Sequence, residues 1–548
     1  MAQTIHPLAG TRPAQSALIS RAAMQSAYLD RNINISPLKN GTSGHRGVGG
    51  AGFNVRHVES MTQALANITN ERGHFGPSYA TINPQSQLAG IVVGRDVRDL
   101  SEFAQQSAID VLTANGIPVI VQEGTGIAPT PVVSHLIHGF NSVNHGNYQG
   151  IIITASHNPP EEGGIKSNGI DGGPNTRTKE IDALANQLLS EPESIKNGYV
   201  RSYVSELDFK SLYVPTLKEV VDMDAIRDSG IKFVATPLGG SAGGYYERIN
   251  EDFGTDIVEV LGSPDPAGAN RTYDWDGKLR GDPSSKYVMQ AVQGLREKYG
   301  APLIVANDND ADRFGAGDAT EGILDPNHVL CVLFDYLAKT RGYPQEMGIG
   351  RTVGTTHMLD LIAADYGRPV NEVPVGFKWY VEGLLDNKYV LAGEESAGLV
   401  FPRRDGSLWV TEKDGIAANL LMMEIIAKTG KDIGTLYAEL AAKHGIHNYE
   451  RIDTPATAAK KKKLGELAGD DAGTKALLFG KQIAGRSIER VRTGDGVKVV
   501  LEGGIWVLKR ASGTEDIIKD YREERGESLD TVRKASEELD QALGLSGI

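Results

Sequence analysis

Short apolar runs alternate with longer amphipathic segments through most of this chain. The β-branched runs Ile91–Val93 and Ile151–Ile153 predict buried strands, and Glu102–Asn115 has the apolar spacing of a helix. Strands that alternate with helices favour parallel pairing, with polar loops gathered at the carboxyl ends of the strands. The same alternation starts again near Phe209 and near Ile323. We therefore predict three related α/β units.

The pattern changes beyond about His444. Val497–Leu501 and Gly504–Lys509 are typical of antiparallel strands, and the apolar residues between Leu529 and Leu543 have helical spacing. This predicts a smaller α+β domain at the end of the chain. The predicted divisions are an N-terminal extension at 1–40, α/β domains at 41–207, 208–322 and 323–445, and the last domain at 446–548.

Length and charge narrow the class of protein. A chain of 548 residues is too long for one core, and its net charge of -14 argues against a general nucleic-acid or membrane-surface binder. The single Cys331 lies in an apolar run and is interpreted as a buried small side chain. No segment is long and apolar enough to span a bilayer, and residues 1–20 do not resemble a signal peptide. A cytoplasmic enzyme is the expectation.

One serine follows a predicted strand directly. The sequence Thr-Ala-Ser-His-Asn-Pro-Pro at 154–160 places Ser156 between a buried run and two prolines. Because Asn158 precedes Pro159, the helical region is disfavoured there, and we expect Ser156 on a stiff, exposed loop. The alternative is a simple turn without chemistry.

A second strand leads into three alternating aspartates, Asp308, Asp310 and Asp312. In an extended loop, residues two apart point to one side, so the three carboxylates can converge on a hard cation. A calcium EF-hand loop is excluded, because Arg313 and Ala319 stand where that motif needs glycine and glutamate. Three carboxylates leave coordination positions open for phosphoryl oxygens and water around Mg2+.

A serine beside a metal loop suggests phosphoryl transfer. A phosphate on Ser156 would repel the aspartates unless a divalent cation lay between them. Arg313 is placed to reach the same phosphoryl oxygens. Lys166 could return to the same cleft with a depressed pKa and act as a general acid or base, although an ordinary surface lysine fits the sequence equally well.

Two further polar loops are candidates for substrate binding. Glu394 and Ser396 offer an acceptor and a hydroxyl suited to adjacent sugar hydroxyls. A compact set of donors for a dianion follows near the end of the chain, namely Arg510, Ser512, the Gly513 amide and Thr514.

Seven motifs in this order resemble those of the α-D-phosphohexomutase superfamily. They are Gly-Thr-Ser-Gly-His-Arg-Gly at 41–47, Thr-Ala-Ser-His-Asn-Pro-Pro at 154–160, Asp-x-Asp-x-Asp-Arg at 308–313, Val-Gly-Phe-Lys-Trp at 375–379, Gly-Glu-Glu-Ser at 393–396, Glu-Lys-Asp-Gly at 412–415 and Arg-x-Ser-Gly-Thr-Glu at 510–515. The resemblance runs from about residue 40 to the end, and within the superfamily the chain closely resembles the bacterial glucose-type phosphoglucomutases. The Gly-Glu-Glu-Ser version, followed by Gly398, favours glucose phosphates over the glucosamine and mannose relatives.

The resemblance implies a fold of three similar α/β domains with mixed sheets and a C-terminal α+β domain of the TATA-binding-protein-like type, arranged around a central cleft. It implies that Ser156 is the phosphoserine and that one Mg2+ is bound by Ser156, Asp308, Asp310 and Asp312. Residues implied to surround the transferring group are Arg46, Lys166 and Arg313, with Lys413 as a second acid/base candidate. Residues implied to hold the sugar are Gly376, Phe377, Lys378, Glu394 and Ser396, and those implied to hold the other phosphate are Arg510, Ser512, Gly513 and Thr514.

The implied reaction interconverts α-D-glucose 1-phosphate and glucose 6-phosphate through glucose 1,6-bisphosphate, which also serves as activator. The partner is then a phosphosugar, with no nucleic acid and no membrane, and a homodimer is left open. A sister phosphohexomutase acting on mannose or glucosamine phosphate is the main alternative. A phosphatase remains as a rival. A catalytically silent scaffold is disfavoured because the serine and the aspartates are all present, and a serine hydrolase because Thr154 and Asn158 replace the glycines of a nucleophile elbow.

Overall fold

The structure is a computed structural model that describes residues 5–41, 44–72, 90–144, 146–513, 516–526 and 528–548. In these ranges the strands form four large sheets and one two-stranded ribbon. Three sheets carry α/β units and the fourth is antiparallel, so the predicted fold class is confirmed. The predicted domain boundaries themselves stay a prediction.

The first unit is a six-stranded mixed sheet of order β1-β5-β4-β2-β3-β6. Its elements in chain order are α1 (Arg21–Leu29), β1 (His45–Val48), α2 (Val55–Arg72), β2 (Gly90–Arg95), α3 (Asp99–Ala114), β3 (Val119–Gln122), α4 (Thr130–Asn144), β4 (Tyr148–Ile153), β5 (Glu162–Asn168), α5 (Thr178–Ser190) and β6 (Val204–Leu207). Strand β2 pairs in parallel with β3 and β4, as the alternation predicts. Strand β5 instead pairs antiparallel with β4 and β1.

The second unit has the sheet order β12-β11-β7-β8. Its elements are α6 (Phe209–Tyr213), α7 (Met223–Asp228), β7 (Phe233–Thr236), α8 (Tyr245–Phe253), β8 (Ile257–Glu259), the ribbon strands β9 (Thr272–Tyr273) and β10 (Leu279–Arg280), α9 (Lys286–Lys298), β11 (Ile304–Asn307) and β12 (Phe314–Gly317). Strands β8, β7 and β11 run parallel, and β12 returns antiparallel beside β11.

The third unit has the sheet order β14-β13-β15-β16. Its elements are α10 (Pro326–Thr340), β13 (Gly348–Thr352), α11 (Met358–Asp365), β14 (Val370–Val373), α12 (Val381–Leu385), β15 (Tyr389–Glu394), β16 (Gly398–Val400), α13 (Gly415–Thr429) and α14 (Ile433–His444). Again the last strand, β16, is antiparallel to its neighbour β15.

The fourth unit is an antiparallel sheet of order β17-β22-β21-β20-β19-β18 with helices packed on it. Its elements are β17 (His447–Pro455), α15 (Ala458–Gly469), α16 (Asp471–Leu478), β18 (Gln482–Ile483), β19 (Arg486–Arg492), β20 (Val497–Leu501), β21 (Ile505–Ala511), β22 (Ile517–Arg525) and α17 (Asp530–Ala542). Val532 and Leu539 of α17 are fully buried against this sheet, as their spacing predicts.

An antiparallel strand follows one polar loop in each α/β unit, so all three sheets are mixed, as the family resemblance implies. In each case the returning loop is too short for a crossover, which needs a dozen or more residues, so the chain turns straight back. The polar loops after β4, β11 and β15 are all of this kind. They therefore occupy equivalent positions in three sheets.

One continuous hydrophobic cluster joins the first three units. It includes Val92 and Ile152 of the first sheet, Val305 of the second, Leu391 of the third, and Cys331, whose predicted burial is confirmed. The fourth sheet is built on a separate cluster. Burial of this much apolar side chain holds the three α/β units in one block.

The N-terminal extension ties the first two units together. The backbone N–H of Gly10 donates to the Tyr273 carbonyl and the N–H of Tyr273 donates to the Thr11 carbonyl, both across 2.9 Å. Helix α1 then packs on α3, where Arg21 pairs with Asp99 across 2.6 Å. The extension thus reaches from the β9 ribbon of the second unit to the first unit.

Candidate active site

Each of the three equivalent loops contains a residue other than glycine in the left-handed region. The φ angles are +53° at Ser156, +57° at Ala311 and +67° at Ala397. Such a conformation costs about 1–2 kcal/mol for an L-residue. Strain of this kind persists only where surrounding contacts fix the backbone, and it is common at functional sites.

Contacts on both sides fix the Ser156 backbone. Its carbonyl accepts hydrogen bonds from Arg98 Nη2 across 2.7 Å and from Asn309 Nδ2 across 2.8 Å, and its N–H donates to Thr154 Oγ1 across 2.8 Å. Thr154 Oγ1 in turn donates to Asp96 Oδ2 across 2.7 Å. Ser156 is only 2% exposed, so the expectation of an exposed loop is wrong. It is buried because the aspartate loop of the second unit covers it.

The carboxylates of Asp308, Asp310 and Asp312 converge as predicted, and their oxygens lie within 4.8 Å of one another. The loop itself is not extended, which corrects the predicted geometry. The Ala311 N–H donates to the Asp308 carbonyl across 3.0 Å, and the left-handed φ of Ala311 reverses the chain. A tight turn, rather than alternation along a strand, brings the three carboxylates to one side.

The serine hydroxyl and the aspartates meet directly. Ser156 Oγ donates to Asp308 Oδ2 across 2.8 Å. Burial, together with repulsion from Asp310 and Asp312, raises the pKa of Asp308 well above its usual value. Three buried carboxylates in one place thus create a strong demand for positive charge.

Two lysines approach the aspartates from other elements. Lys166 Nζ on β5 lies 2.6 Å from Asp310 Oδ2 and 3.3 Å from Asp312 Oδ2, and Lys413 Nζ lies 3.0 Å from Asp312 Oδ2. Burial alone would lower the pKa of Lys166, but the two carboxylates outweigh it and raise that pKa. The predicted depression of this pKa assumed a metal ion beside the lysine, so it stays a prediction for the metal-bound protein. The same balance, dominated by Asp312 and Glu412, raises the pKa of Lys413.

The aspartate cluster fits a hard divalent cation. Asp310 Oδ1 and Asp312 Oδ1 are buried and have no hydrogen-bond partner among the described residues. A buried carboxylate oxygen without a partner is costly, and a cation coordinated by it would remove that cost. An all-oxygen set of this kind suits Mg2+.

The two predicted arginines lie near this cluster and have different partners. The Arg313 N–H donates to Asp308 Oδ1 across 3.1 Å, and its Nη1 lies 3.2 Å from Asp282 Oδ2. Arg46 is half-buried on β1 and its Nη1 donates weakly to Asn158 Oδ1 across 3.4 Å. Burial lowers the pKa of Arg46, and the Arg313 charge adds to that effect, yet an arginine in this range stays charged.

The predicted sugar loop contacts the third equivalent loop. The Gly376 N–H donates to Glu394 Oε1 across 2.9 Å, with φ at +123° for Gly376, so only glycine suits that position. Burial and the neighbouring Glu395 raise the pKa of Glu394 to about 7. Phe377 lies buried beneath Lys413 Nζ, which is 5.0 Å from its ring centre. Ser396 is half-buried beside Glu394.

A cavity of about 560 Å³ lies between the sugar loop, the fourth unit and the segment before β1. Its lining includes Lys39, Lys378, Arg510, Ser512 and Gly513, and Lys39 Nζ donates to the Gly513 carbonyl across 3.0 Å. Cations predominate in this lining, which suits a dianion. Thr514 falls outside the residues that the structure describes. Ser156 and the three aspartates are not among the residues that line this cavity.

Several residues of the site have no counterpart among the sequence predictions. Asp96 and Arg98 could have been found, because they follow the predicted strand Ile91–Val93 and so obey the same strand-end rule. Asp282, which pairs with Arg313, lies in a turn-rich stretch whose pattern carries no such signal.

Comparisons with known proteins agree with this architecture. Models of three α/β/α domains of phosphoglucomutase/phosphomannomutase match the chain, domain I at residues 37–193, domain II at 211–322 and domain III at 325–444. Among the helices that the structure describes, none has the length and apolarity needed to cross a membrane.

Named relatives match over nearly the full chain. A phosphoglucomutase of Komagataeibacter xylinus is 36% identical over 95% of this chain and 94% of its own length. A phosphoglucomutase/phosphomannomutase of Thermococcus kodakarensis is 27% identical over 92% and 97%. The open form of parafusin, a phosphoglucomutase from Paramecium, shares the fold with a TM-score of 0.70 at 23% identity, over 93% of this chain and 96% of that one. The chain belongs to the phosphoglucomutase/phosphomannomutase family.

Proposed function

We propose that this protein interconverts α-D-glucose 1-phosphate and glucose 6-phosphate through a phosphorylated Ser156. The observation that carries the proposal is the contact of Ser156 Oγ with Asp308 Oδ2 at 2.8 Å, beside two unpartnered carboxylate oxygens. A nucleophile at a cation site is the arrangement that phosphoryl transfer needs. The 36% identity to the Komagataeibacter phosphoglucomutase supports glucose phosphate as substrate.

One Mg2+ per chain would be held by Asp308, Asp310, Asp312 and an oxygen on Ser156. When bound it supplies charge stabilisation to the phosphoryl oxygens. Arg313 and Arg46 flank the cluster and add hydrogen-bond donors to the same oxygens. These residues are thereby assigned to the phosphoryl group that moves.

The transfer breaks the bond between phosphorus and Ser156 Oγ while a sugar hydroxyl oxygen bonds to phosphorus. One proton must therefore leave the hydroxyl and one must reach Ser156 Oγ. We assign this exchange to Lys166: its ammonium group gives a proton to Ser156 Oγ, and the neutral amine then takes the proton of the sugar hydroxyl, so Lys166 ends the step protonated again. Lys413, whose Nζ contacts the same Asp312 oxygen as Lys166 Nζ, adds a second positive charge.

The substrate is held at both ends. Gly376, Phe377, Lys378, Glu394 and Ser396 are assigned to the sugar. Arg510, Ser512, Gly513 and Thr514 are assigned to the phosphate that stays in place. Glucose 1,6-bisphosphate forms after the first transfer, turns over in the cleft and returns its other phosphate to Ser156. Water is excluded from Ser156 by the burial already described.

Rates on competing substrates test the proposal. With Mg2+ and a trace of glucose 1,6-bisphosphate, kcat/KM on α-D-glucose 1-phosphate should exceed that on mannose 1-phosphate and glucosamine 1-phosphate by about tenfold or more, a difference that one or two hydroxyl contacts provide. A preference for mannose phosphate would instead identify a sister mutase. The Thermococcus relative is named as both a phosphoglucomutase and a phosphomannomutase, so this alternative is part of the test. Release of inorganic phosphate as fast as isomerisation would identify a phosphatase.

A further inference from the structure

A tight turn between β19 and β20 points one carboxylate toward the third unit. Asp495 lies between Gly494 and Gly496, whose φ angles of +104° and +100° belong to a region that other residues avoid. A Cβ atom on Gly496 would lie 2.3 Å from the Lys509 carbonyl oxygen of β21. The turn therefore packs closely on β21, two residues from Ala511, and its conformation is fixed by the two glycines.

The Asp495 carboxylate bridges two of the binding segments. Its Oδ1 accepts a hydrogen bond from Arg510 Nε across 2.8 Å, and its Oδ2 accepts one from the Val375 N–H across 2.7 Å. Arg510 is the arginine assigned to the stationary phosphate, and Val375 begins the loop assigned to the sugar. One side chain thus contacts both parts of the substrate site without lying in either assigned set.

Contacts on both sides of this turn connect the fourth unit to the third unit. Arg492 pairs with Glu372 of β14, and Lys498 Nζ donates to the Val353 carbonyl across 2.6 Å. These two contacts flank Asp495 on β19 and β20 and hold the hairpin against the third sheet. The distance between Arg510 and the sugar loop is consequently set by the 492–498 hairpin.

We propose that Asp495 is a positioning residue that sets the orientation of Arg510 and its spacing from the sugar loop, so that the site selects phosphosugars by the distance between phosphate and ring. The inference rests on the phosphosugar function proposed above. Fixing Nε fixes the plane of the guanidinium, and a fixed plane is what two-point recognition of phosphate requires. The hydrogen bond to the Val375 N–H holds the sugar loop in place, so the distance between Arg510 and that loop is fixed at both ends.

The opposite role would be competition, in which Asp495 occupies Arg510 and the phosphate must displace it. The two roles predict opposite changes in KM. Removing a positioning carboxylate raises KM, because Arg510 must then be ordered by the substrate itself. Removing a competitor lowers KM.

Asp495→Asn is the decisive variant, because an amide keeps the size of the side chain but offers one acceptor oxygen where the bridge needs two. We expect KM for α-D-glucose 1-phosphate to rise at least tenfold while kcat stays within threefold. The matched control is Asp471→Asn. Asp471, at the start of α16, accepts a hydrogen bond from Thr493 Oγ1 across 2.7 Å, next to the turn, but is not assigned to the substrate site. The KM of this control variant should equal that of the unaltered protein.

A binding measurement separates positioning from folding. In the Ser156→Ala background, where no phosphoryl transfer is expected, Asp495→Asn should weaken binding of glucose 6-phosphate at least tenfold by titration calorimetry, with an unchanged far-UV circular dichroism spectrum. Asp495→Ser provides the same comparison if the asparagine variant does not fold. An unchanged or lower KM in either folded variant overturns the inference, whereas failure of the unaltered protein to isomerise any hexose phosphate overturns the proposed function itself.

Discussion

Ser156 Oγ and Asp308 Oδ2 lie 2.8 Å apart, although 151 residues of chain separate them and they belong to different sheets. The serine reaches the carboxylate because two antiparallel returns, after β4 and after β11, face each other. The Asn309 side chain also binds the Ser156 carbonyl across 2.8 Å, so backbone and hydroxyl are held by the same loop. This relationship places a nucleophile and a cation site within one hydrogen bond of each other.

Ser156→Ala should abolish turnover, because it removes the hydroxyl that lies 2.8 Å from Asp308 Oδ2 and is proposed to carry the phosphoryl group. We expect kcat to fall by about 10⁴-fold or more, as for other nucleophile deletions. Intact mass after incubation with glucose 1,6-bisphosphate should show added phosphate on the unaltered protein and none on the variant. Ser142→Ala, at an exposed serine of α4, is the control and should keep both properties. A variant that retained near-normal rates would remove Ser156 from the mechanism.

Asp312→Asn should weaken Mg2+ binding roughly a hundredfold, because the site loses one of three charges that suit a hard cation. Titration calorimetry with Mg2+ alone measures this independently of activity. Asp360→Asn is the control, since Asp360 pairs with Arg351 in the third unit, away from the cluster. Equal Mg2+ affinity in both variants would contradict the proposed ligand set.

Arg510→Ala should raise KM for glucose 1-phosphate strongly, on the order of 30-fold, because a charge-assisted contact to the stationary phosphate is lost. Arg510→Lys should recover only part of the affinity, since an ammonium group cannot reproduce the planar fork. Steady-state kinetics distinguish the variants. The matched control is Arg533→Ala on α17 of the same unit, whose guanidinium is half exposed and pairs with Glu450 of β17. An unchanged KM for Arg510→Ala would exclude Arg510 from phosphate binding.

The buried carboxyl of Asp171 should lower the free energy of unfolding as pH rises. Burial raises its pKa to about 7, above the unfolded value of 3.8, and its Oδ2 has no partner among the described residues. Between about pH 4 and pH 7 the folded state therefore binds the extra proton, so the free energy of unfolding falls across this window and stays low above it. Asp171→Asn should raise the thermal midpoint by several degrees at pH 8 and leave it unchanged at pH 4.

Asp276→Asn provides a control of opposite sign for calorimetry at the same two pH values. Burial tends to raise the pKa of Asp276, but its ion pair with Arg280 outweighs this and lowers it. A carboxyl with a lowered pKa stabilises the fold above its unfolded pKa, and this contribution is lost as pH falls through the folded value. The variant should therefore melt lower than the unaltered protein at pH 8. A pH-independent midpoint difference for Asp171→Asn would refute the assigned pKa shift.

The sequence was sufficient for the sheet units and for the loops that carry chemistry. A continuous β-branched run such as Ile151–Ile153 predicts a buried strand, and the polar residues that follow such a run are then expected at the end of that strand. For this reason Ser156, the aspartates and Glu394 could be located without coordinates. The family resemblance then supplied roles that spacing alone left open.

Other properties of the site depend on contacts between distant segments and could not be read locally. The burial of Ser156 is caused by Asn309 and Asp308, and the raised pKa of Lys166 is caused by Asp310 and Asp312. Each cause lies more than 140 residues away in the chain. The bridging role inferred for Asp495 likewise requires Val375, which belongs to another sheet.

The apolar cluster shared by the first three sheets has a thermodynamic consequence. Because that cluster includes side chains from all three sheets, the three α/β units should melt together in one cooperative step. The fourth sheet has its own cluster and meets the third unit at a smaller one around Val353 and Trp506, so separating it should cost less free energy than separating the α/β units from one another.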